Sequence, residues 1–521
     1  MVSRSGANLM SVLKRPPRKS RSDLRRHKGA VATALLCAAL AQSGAAQAQS
    51  SSAAKPDPPA ASDLKLGPIK ISGDWRVRVE GWDWFEPNTG ENAYVFPHSL
   101  LRIAISQQTE RIDWKLEASQ DTIIFLPRNA VLAAPQGQLG LGGTYYAANE
   151  NTRNNIDAFI KQAYFQINHL GKGKLKLGRF EYFDGAEVKP QDATLALLVQ
   201  TRISQRLLGN YGFSAVQRSY DGGEFDYNFG KANVTLLGGY PTQGVYQIDG
   251  MGQLNINVYY GALTVPTRTE NSSGELRLFG LGYIDHRADV LKTDNRPQAI
   301  RAADHGQIHI GTYGGNYLHV FNTQTRGKFD FLIWGAAQTG AWGRLAQSAG
   351  AFVGEFGWQP PVETLKPWLS AGYSYGSGDD NPTDSVHGTF FQVLPTPRMY
   401  ARMPFYNMEN NEDLYGSLNL RAGSKLAIRS EWHALRLANR RDLWYLGGGA
   451  YQPQTFGYTG RPSGGNQGFA NVWDLSADYQ VTRSFALGLY YAHAWGKAVI
   501  AGIYPKDRNG QFAYIETNFR F

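Results

Sequence analysis

From Phe512 to Phe521 the chain alternates without a break. Ala513, Ile515, Thr517, Phe519 and Phe521 share one side; Phe512, Tyr514, Glu516, Asn518 and Arg520 share the other. A period of two is the mark of a β-strand with one apolar and one wet side. The same alternation recurs upstream. Trp75, Val77 and Val79 oppose Arg76, Arg78 and Glu80; Leu101, Ile103 and Ile105 oppose Arg102, Ala104 and Ser106. Ile112, Trp114 and Leu116 oppose Asp113, Lys115 and Glu117, and Ala163, Phe165 and Ile167 oppose Gln162, Tyr164 and Gln166. Leu414, Leu418 and Leu420 oppose Asp413, Tyr415, Asn419 and Arg421; Leu426, Ile428 and Trp432 oppose Lys425, Arg429, Glu431 and His433. Phe485, Leu487 and Leu489 alternate with Ala486, Gly488 and Tyr490.

Charged side chains are expensive on a face that meets hydrocarbon. If the apolar face meets lipid, Arg76, Arg78, Arg102, Lys115, Arg421 and Arg429 must face a water-filled interior. A strand ending on a terminal aromatic resembles the last strand of a bacterial outer-membrane β-barrel, where Phe519 and Phe521 would act as the assembly signal. The fold class is therefore all-β, a transmembrane antiparallel β-barrel with long extracellular loops. At ~20–30 residues for a strand and its share of loop, the length suits roughly sixteen to eighteen strands, with eighteen preferred. A lumen that wide must hold water, a plug or folded-in loops. With the N-terminus in the periplasm, 121–157 and 181–211 are expected outside the cell. A soluble β-sandwich or propeller also fits Gly-rich, aromatic-rich short strands, but not the terminal strand and the leader together.

The N-terminus points to the same address. Arg4, Lys14, Arg15, Arg18, Lys19, Arg21, Arg25, Arg26 and Lys28 precede an apolar run over 30–40 and the small-residue triplet Ala46-Gln47-Ala48. This is the layout of a secretory signal peptide, predicted over 1–48, and the run is too short to span a bilayer as a helix. Arg25-Arg26 lacks the apolar sequel of twin-arginine export, and Leu35-Leu36 before Cys37 are too bulky for a lipoprotein signal. Residues 49–63, rich in Ser, Ala and Pro, read as a flexible periplasmic tether, and 64–521 as the barrel.

The leader also corrects the charge. The whole chain carries a net +10, which would hint at nucleic acid. Nine Lys/Arg and Asp23 leave with the leader, so 44 basic and 42 acidic residues remain, a net of +2. Nucleic acid is not an expected partner. The single cysteine, Cys37, is also in the leader, so disulfides and cysteinyl metal sites are excluded from the mature chain.

Several blocks resemble one family. Leu175-Lys176-Leu177-Gly178-Arg179-Phe180, Gln205-Arg206-Leu207-Leu208-Gly209 and Arg218-Ser219-Tyr220-Asp221-Gly222 are similar to the N-terminal blocks of the alginate-export family of outer-membrane barrels. Ser377-Gly378-Asp379 with Thr389-Phe390-Phe391 and Leu394-Pro395-Thr396 follows, and Asp442-Leu443-Trp444-Tyr445 with Gly447-Gly448-Gly449 completes the set. The resemblance runs from about Trp75 to Phe521. It implies an eighteen-stranded monomeric barrel that passes an acidic polysaccharide through an arginine-lined constriction.

Physics accommodates that function. A polyuronate bears one carboxylate per sugar, and guanidinium is a permanent cation with a planar fork for carboxylates. No site on an export path should hold the polymer tightly. Arg179, Arg202, Arg206, Arg218 and Arg429 are the candidate cations, with Asp221 and Glu431 as tempering acids. Arg202 and Arg206, four apart, would share one face of a short helix in an inward-folded loop. Taken singly, each arginine is better read as a structural ion pair across the lumen wall, while at least two of the five are expected to line the constriction. Arg179 shares the parity of Leu175 and Leu177; a bulge at Gly178 would turn it inward, and otherwise it snorkels at the strand end. The competing function is an anion-selective porin for uptake of oligouronates or other small acidic sugars. Such a porin should have an inward eyelet loop and form trimers. The expected partners are outer-membrane lipid, the polysaccharide and the barrel-assembly machinery.

Asp379, Asp380 and Asn381 read as an acidic turn rather than a calcium site, because no twelve-residue ligand pattern follows. No G-x-S-x-G, H-E-x-x-H or P-loop spacing occurs. His433 and Glu431 read as a polar pair in a wet lumen. No enzyme activity, cofactor or metal is expected.

Overall fold

The computed structural model describes residues 64–396 and 402–521. The leader and the tether expected over 1–63 lie outside the described residues. Eighteen strands form one closed antiparallel barrel. They are β1 (Ile69–Asp83), β2 (Ala93–Gln107), β3 (Ile112–Ile123), β4 (Asn155–Leu170), β5 (Gly173–Phe180) and β6 (Tyr220–Phe229). Then come β7 (Ala232–Pro241), β8 (Ile256–Arg268), β9 (Ser272–Asp285), β10 (Ile308–Thr323), β11 (Gly327–Trp342) and β12 (Leu345–Gln359). The circuit ends with β13 (Trp368–Gly376), β14 (Asn411–Ala422), β15 (Leu426–Arg436), β16 (Gly468–Gln480), β17 (Phe485–Gly496) and β18 (Asn509–Arg520).

The seam pairs β18 with β1, setting Phe519 opposite Trp75, Ile515 opposite Val79 and Glu516 opposite Arg78. Phe521 extends the ladder: its N–H donates to the Gly73 carbonyl at 3.1 Å and its carbonyl accepts the Gly73 N–H at 3.0 Å. Gly73 has no side chain because the Phe521 ring lies where one would be, 2.2 Å from an ideal Cβ.

The alternation read from the sequence maps onto two environments. Trp75, Ile103, Leu116, Phe165, Leu414, Trp432 and Phe519 are exposed on the outer wall, while Arg76, Arg78, Glu117, Glu431 and Glu516 are buried inside. One of the breaks in this pattern lies in β4. The ladder slips between Glu117 and Ala118 of β3, and consecutive Lys161 and Gln162 are both buried. A bulge of this kind turns one extra side chain inward.

Short turns join the strands at one end, which the convention of such barrels places in the periplasm. The longest of them is 360–367. At the other end stand the long loops 124–154, 181–219, 286–307, 377–410 and 437–467. The described parts of these loops fold back into the lumen and pack its outer half, and 181–219 reaches on to the periplasmic strand ends. Trp82, Trp84 and Phe85 meet Phe405, Trp444, Phe469 and Tyr504 there, all buried, with ring centroids 5.0 Å apart for Trp84–Phe85 and 5.1 Å for Trp444–Phe469. Edge-on aromatic pairs of this sort contribute about 0.5–1.5 kcal/mol each beyond their buried area.

Candidate functional site: a cation-lined vestibule under an inward loop

Loop 181–219 positions the site. It leaves β5, descends inside the barrel and returns to β6. Three sets of contacts hold it. At its base Glu181 accepts from Arg102 at 2.9 Å and from Asn210 at 2.8 Å. Burial raises the Glu181 pKa, but Arg102 and Lys161 outweigh it and hold the carboxyl at about 2. Asp184 accepts the N–H groups of Leu207 and Leu208 at 2.9 and 2.8 Å and faces Arg277 at 3.3 Å. Burial still pushes Asp184 up to about 6. Further along, Arg76 and Arg78 of β1 donate to the carbonyls of Gly212 at 2.6 Å and Phe213 at 2.9 Å. These two wall arginines therefore serve the fold, pinning the loop, rather than standing free in the path.

Midway the loop forms helix α1 (Ala193–Leu198), which runs into a wider turn, Val199–Ile203. Asp192 caps the helix, accepting from the Thr194 and Leu195 N–H groups at 2.9 Å each. Arg202 lies on the wide turn and bridges two walls: its Nε is 3.1 Å from Glu355 of β12 and its Nη2 2.7 Å from Glu431 of β15. Arg429 pairs with the same Glu431. His433 completes the row, 2.9 Å from Asp413 and 3.6 Å from Glu431.

Below this clamp a cavity of about 600 Å³ opens at the periplasmic strand ends. Arg202, Lys328, Lys366, Arg402, Arg421 and Arg429 contribute six cations to its lining, against Glu355, Glu363 and Asp478. Trp368 and the Pro360-Pro361 turn supply its apolar side.

The residues singled out in the sequence separate into three groups. Arg202, Arg429 and Glu431 meet in the clamp. Arg206 lies past the end of the helical segment, so it does not share a helix face with Arg202. It turns instead to donate to the Arg202 carbonyl and stack over Trp334 of β11, 4.9 Å from the ring centroid. The cause is local: the chain leaves the wide turn at Ser204, and Gln205 takes a φ of 65°. Arg218 is buried higher up, over Tyr451. Arg179 and Asp221 are a correction. They form a bidentate pair at 2.6 and 2.7 Å, but on the outer wall. The ladders run through Gly178 without a slip, so Arg179 keeps the parity of Leu177 and Phe165 and snorkels to the rim, where the Met251 carbonyl accepts from it at 2.8 Å.

Lys328, Arg402 and Glu355 are vestibule residues that the sequence reading missed. Glu355 carried a usable signal, a lone acid between outward-facing Phe352 and Phe356. In the turn at 379–381 Asp379 accepts the Asn381 N–H at 2.8 Å. Among the described residues no cluster of three metal-ligating side chains occurs, and no helix is long and apolar enough to cross a membrane; the crossing is made by strands.

A closed antiparallel barrel with a lipid-facing apolar wall, a charged interior and inward loops is an outer-membrane pore. The chain belongs to the alginate export family, whose pattern it matches over residues 120–503. Among solved structures it is similar to Acinetobacter baumannii OccAB2 (TM-score 0.54, 9% identity) and Pseudomonas aeruginosa OccK9, also called OpdG (TM-score 0.53, 10% identity). It is also similar to Pseudomonas aeruginosa OpdK solved with vanillate (TM-score 0.50, 9% identity); each comparison covers 87% of this chain and 98% of the other. At these identities the likeness shows the fold alone. No curated protein matches the chain. Family and fold are those of transport pores rather than enzymes, and they place the protein in the outer membrane of a Gram-negative cell.

Proposed function

We propose that the barrel passes an anionic polysaccharide, an alginate-like polyuronate, by diffusion along a cation-lined path that begins in the periplasmic vestibule. The observation that carries this reading is the vestibule lining, six cations against three acids around a cavity of about 600 Å³. Fixed cations raise the local concentration of a polyanion at the mouth. The acids beside them, Glu355 and Asp478, keep any one station from holding a carboxylate tightly. Arg202 and Arg429 are the lining cations on which the reading leans, with Arg206 behind them and Glu431 as the tempering acid. In planar bilayers the barrel should be anion-selective, and an alginate oligosaccharide should interrupt its current at concentrations where a neutral oligosaccharide of equal length does not. Cation selectivity would refute the reading.

A second reading has its own support. Loop 181–219 folds into the lumen as an eyelet does in small-solute channels, and OpdK, which shares the fold, was solved with the small carboxylate vanillate. On that reading the same lining admits oligouronates or other small acidic sugars inward. Flux into liposomes separates the two: passage of monomers and dimers with exclusion of longer chains favours uptake. The exposed apolar residues of the described outer wall suit insertion into lipid by the barrel-assembly machinery as a monomer, Phe519 and Phe521 supplying the signal. Sedimentation in detergent checks the monomer.

A further inference from the structure

Among the described residues Arg218 stands apart from the other arginines of the lumen. Its side chain is fully buried, and none of Nε, Nη1 and Nη2 finds a hydrogen-bond acceptor among the described residues. The residue is nonetheless firmly placed: its N–H donates to the Asn210 carbonyl at 2.8 Å, and its carbonyl accepts from Lys161 Nζ at 2.7 Å. The guanidinium carbon lies 5.9 Å from the centroid of the Tyr451 ring. That is near the outer limit of a useful cation–π contact. Guanidinium does not shed its proton in proteins, so a full charge is buried against weak compensation, an arrangement with a large desolvation penalty.

The surroundings are chemically specific. Tyr451 packs edge-on against Tyr246 at 5.1 Å and Tyr211 at 5.7 Å, and tilted against Tyr458 at 5.8 Å. Tyr211 and Tyr246 share a hydrogen bond between their hydroxyls. Tyrosine faces receive the C–H faces of a sugar ring and their hydroxyls receive its oxygens, while a bare guanidinium fork receives a carboxylate. Tyr451 is carried on loop 437–467 next to Gly447-Gly448-Gly449. Gly449 has a φ of +75°, and its ideal Cβ would lie 1.7 Å from the Val393 carbonyl oxygen, so the strip lies against the neighbouring loop without side chains.

We propose that Arg218 and the tyrosines around it form a carboxylate-binding subsite in the outer half of the lumen, roofed by Tyr451, and that the carboxylate-bearing ring of the passing sugar displaces this roof. The inference rests on the polyuronate reading and adds a second station, above the Arg202 clamp, where the closed plug exchanges one aromatic ring for substrate. The uncompensated cation makes the closed state poised: binding a carboxylate satisfies a charge that closure leaves unsatisfied.

The test uses the full barrel in planar bilayers with an alginate trisaccharide added on the extracellular side and maltotriose as the neutral control. Arg218→Gln should weaken current block by the uronate at least tenfold and leave maltotriose unchanged. Tyr451→Ala should strengthen uronate block several-fold. Stability gives an independent readout: Arg218→Gln should unfold in urea at the same or a higher concentration than wild type, whereas an arginine that holds the plug together would destabilise it on removal. Unchanged block in Arg218→Gln together with weakened block in Arg202→Gln would overturn the subsite and leave the pore reading standing. A wild-type barrel that no uronate blocks would sink both.

Discussion

Replacing Arg202 with Gln isolates the vestibule's electrostatics. Arg202 joins Glu355 and Glu431 across the lumen at 3.1 and 2.7 Å, and both carboxylates are buried. A cavity of about 600 Å³ has an effective radius of about 5 Å, so a permeating ion passes about that far from the lining charge. At ε ≈ 80 one unit charge at ~5 Å is worth ~0.8 kcal/mol, and a Debye length of ~10 Å in 0.1 M salt reduces this to ~0.5 kcal/mol. Chloride loses this amount and potassium gains it, so the permeability ratio should fall about fivefold in Arg202→Gln. Stability changes as well: breaking a buried pair costs about 3–5 kcal/mol, and the low end applies here because Arg429 still serves Glu431. The assay is the reversal potential in a KCl gradient, with cleavage of loop 181–219 by added protease as the structural control. Arg202→Gln/Glu355→Gln restores the charge balance and should recover most of the selectivity. An unchanged reversal potential in the single variant, with the loop still protected, would refute placing Arg202 on the ion path.

Three further outcomes are expected. Gly73→Val sets a side chain into the Phe521 ring and should lower the heat-modifiable, assembled fraction in outer membranes; wild-type levels would show that the seam tolerates the intrusion. Arg76→Gln/Arg78→Gln frees the carbonyls of 212–214 and should raise single-channel conductance as the loop leaves the wall, which equal conductance would contradict. Glu181 has a folded pKa of about 2, below its ordinary 4.5. Its stabilisation, at most about 3 kcal/mol, is present above pH 4.5 and is lost as pH falls through about 2. Acidification over that window should therefore expose loop 181–219 to pepsin, and Glu181→Gln should be exposed already at pH 5.

The barrel was legible in the sequence because its defining constraint is local. Each strand meets lipid on one side and the interior on the other, so the requirement is written residue by residue as a period of two. Even Arg179, which breaks the charge rule, follows its parity and reaches the rim from the lipid side. Glu355 was legible on the same grounds. The lumen's contents were not, because the loops obey no period. That Arg206 turns from the path to Trp334, that Arg76 and Arg78 spend their donors on loop carbonyls, and that Arg202 finds Glu355 and Glu431 are outcomes of three-dimensional packing.

From the sequence alone came the address, the closed sheet and the side of the wall on which each strand residue stands, since these depend on spacing along one strand and on the solvent each face meets. The tertiary structure alone decided which arginines are neutralised, which line the vestibule and which one, among the described residues, is buried with no hydrogen-bond acceptor for its side chain. A side chain's charge is carried in its own chemistry, but its compensation depends on groups brought from elsewhere in the chain, here from strands more than a hundred residues away from Arg202.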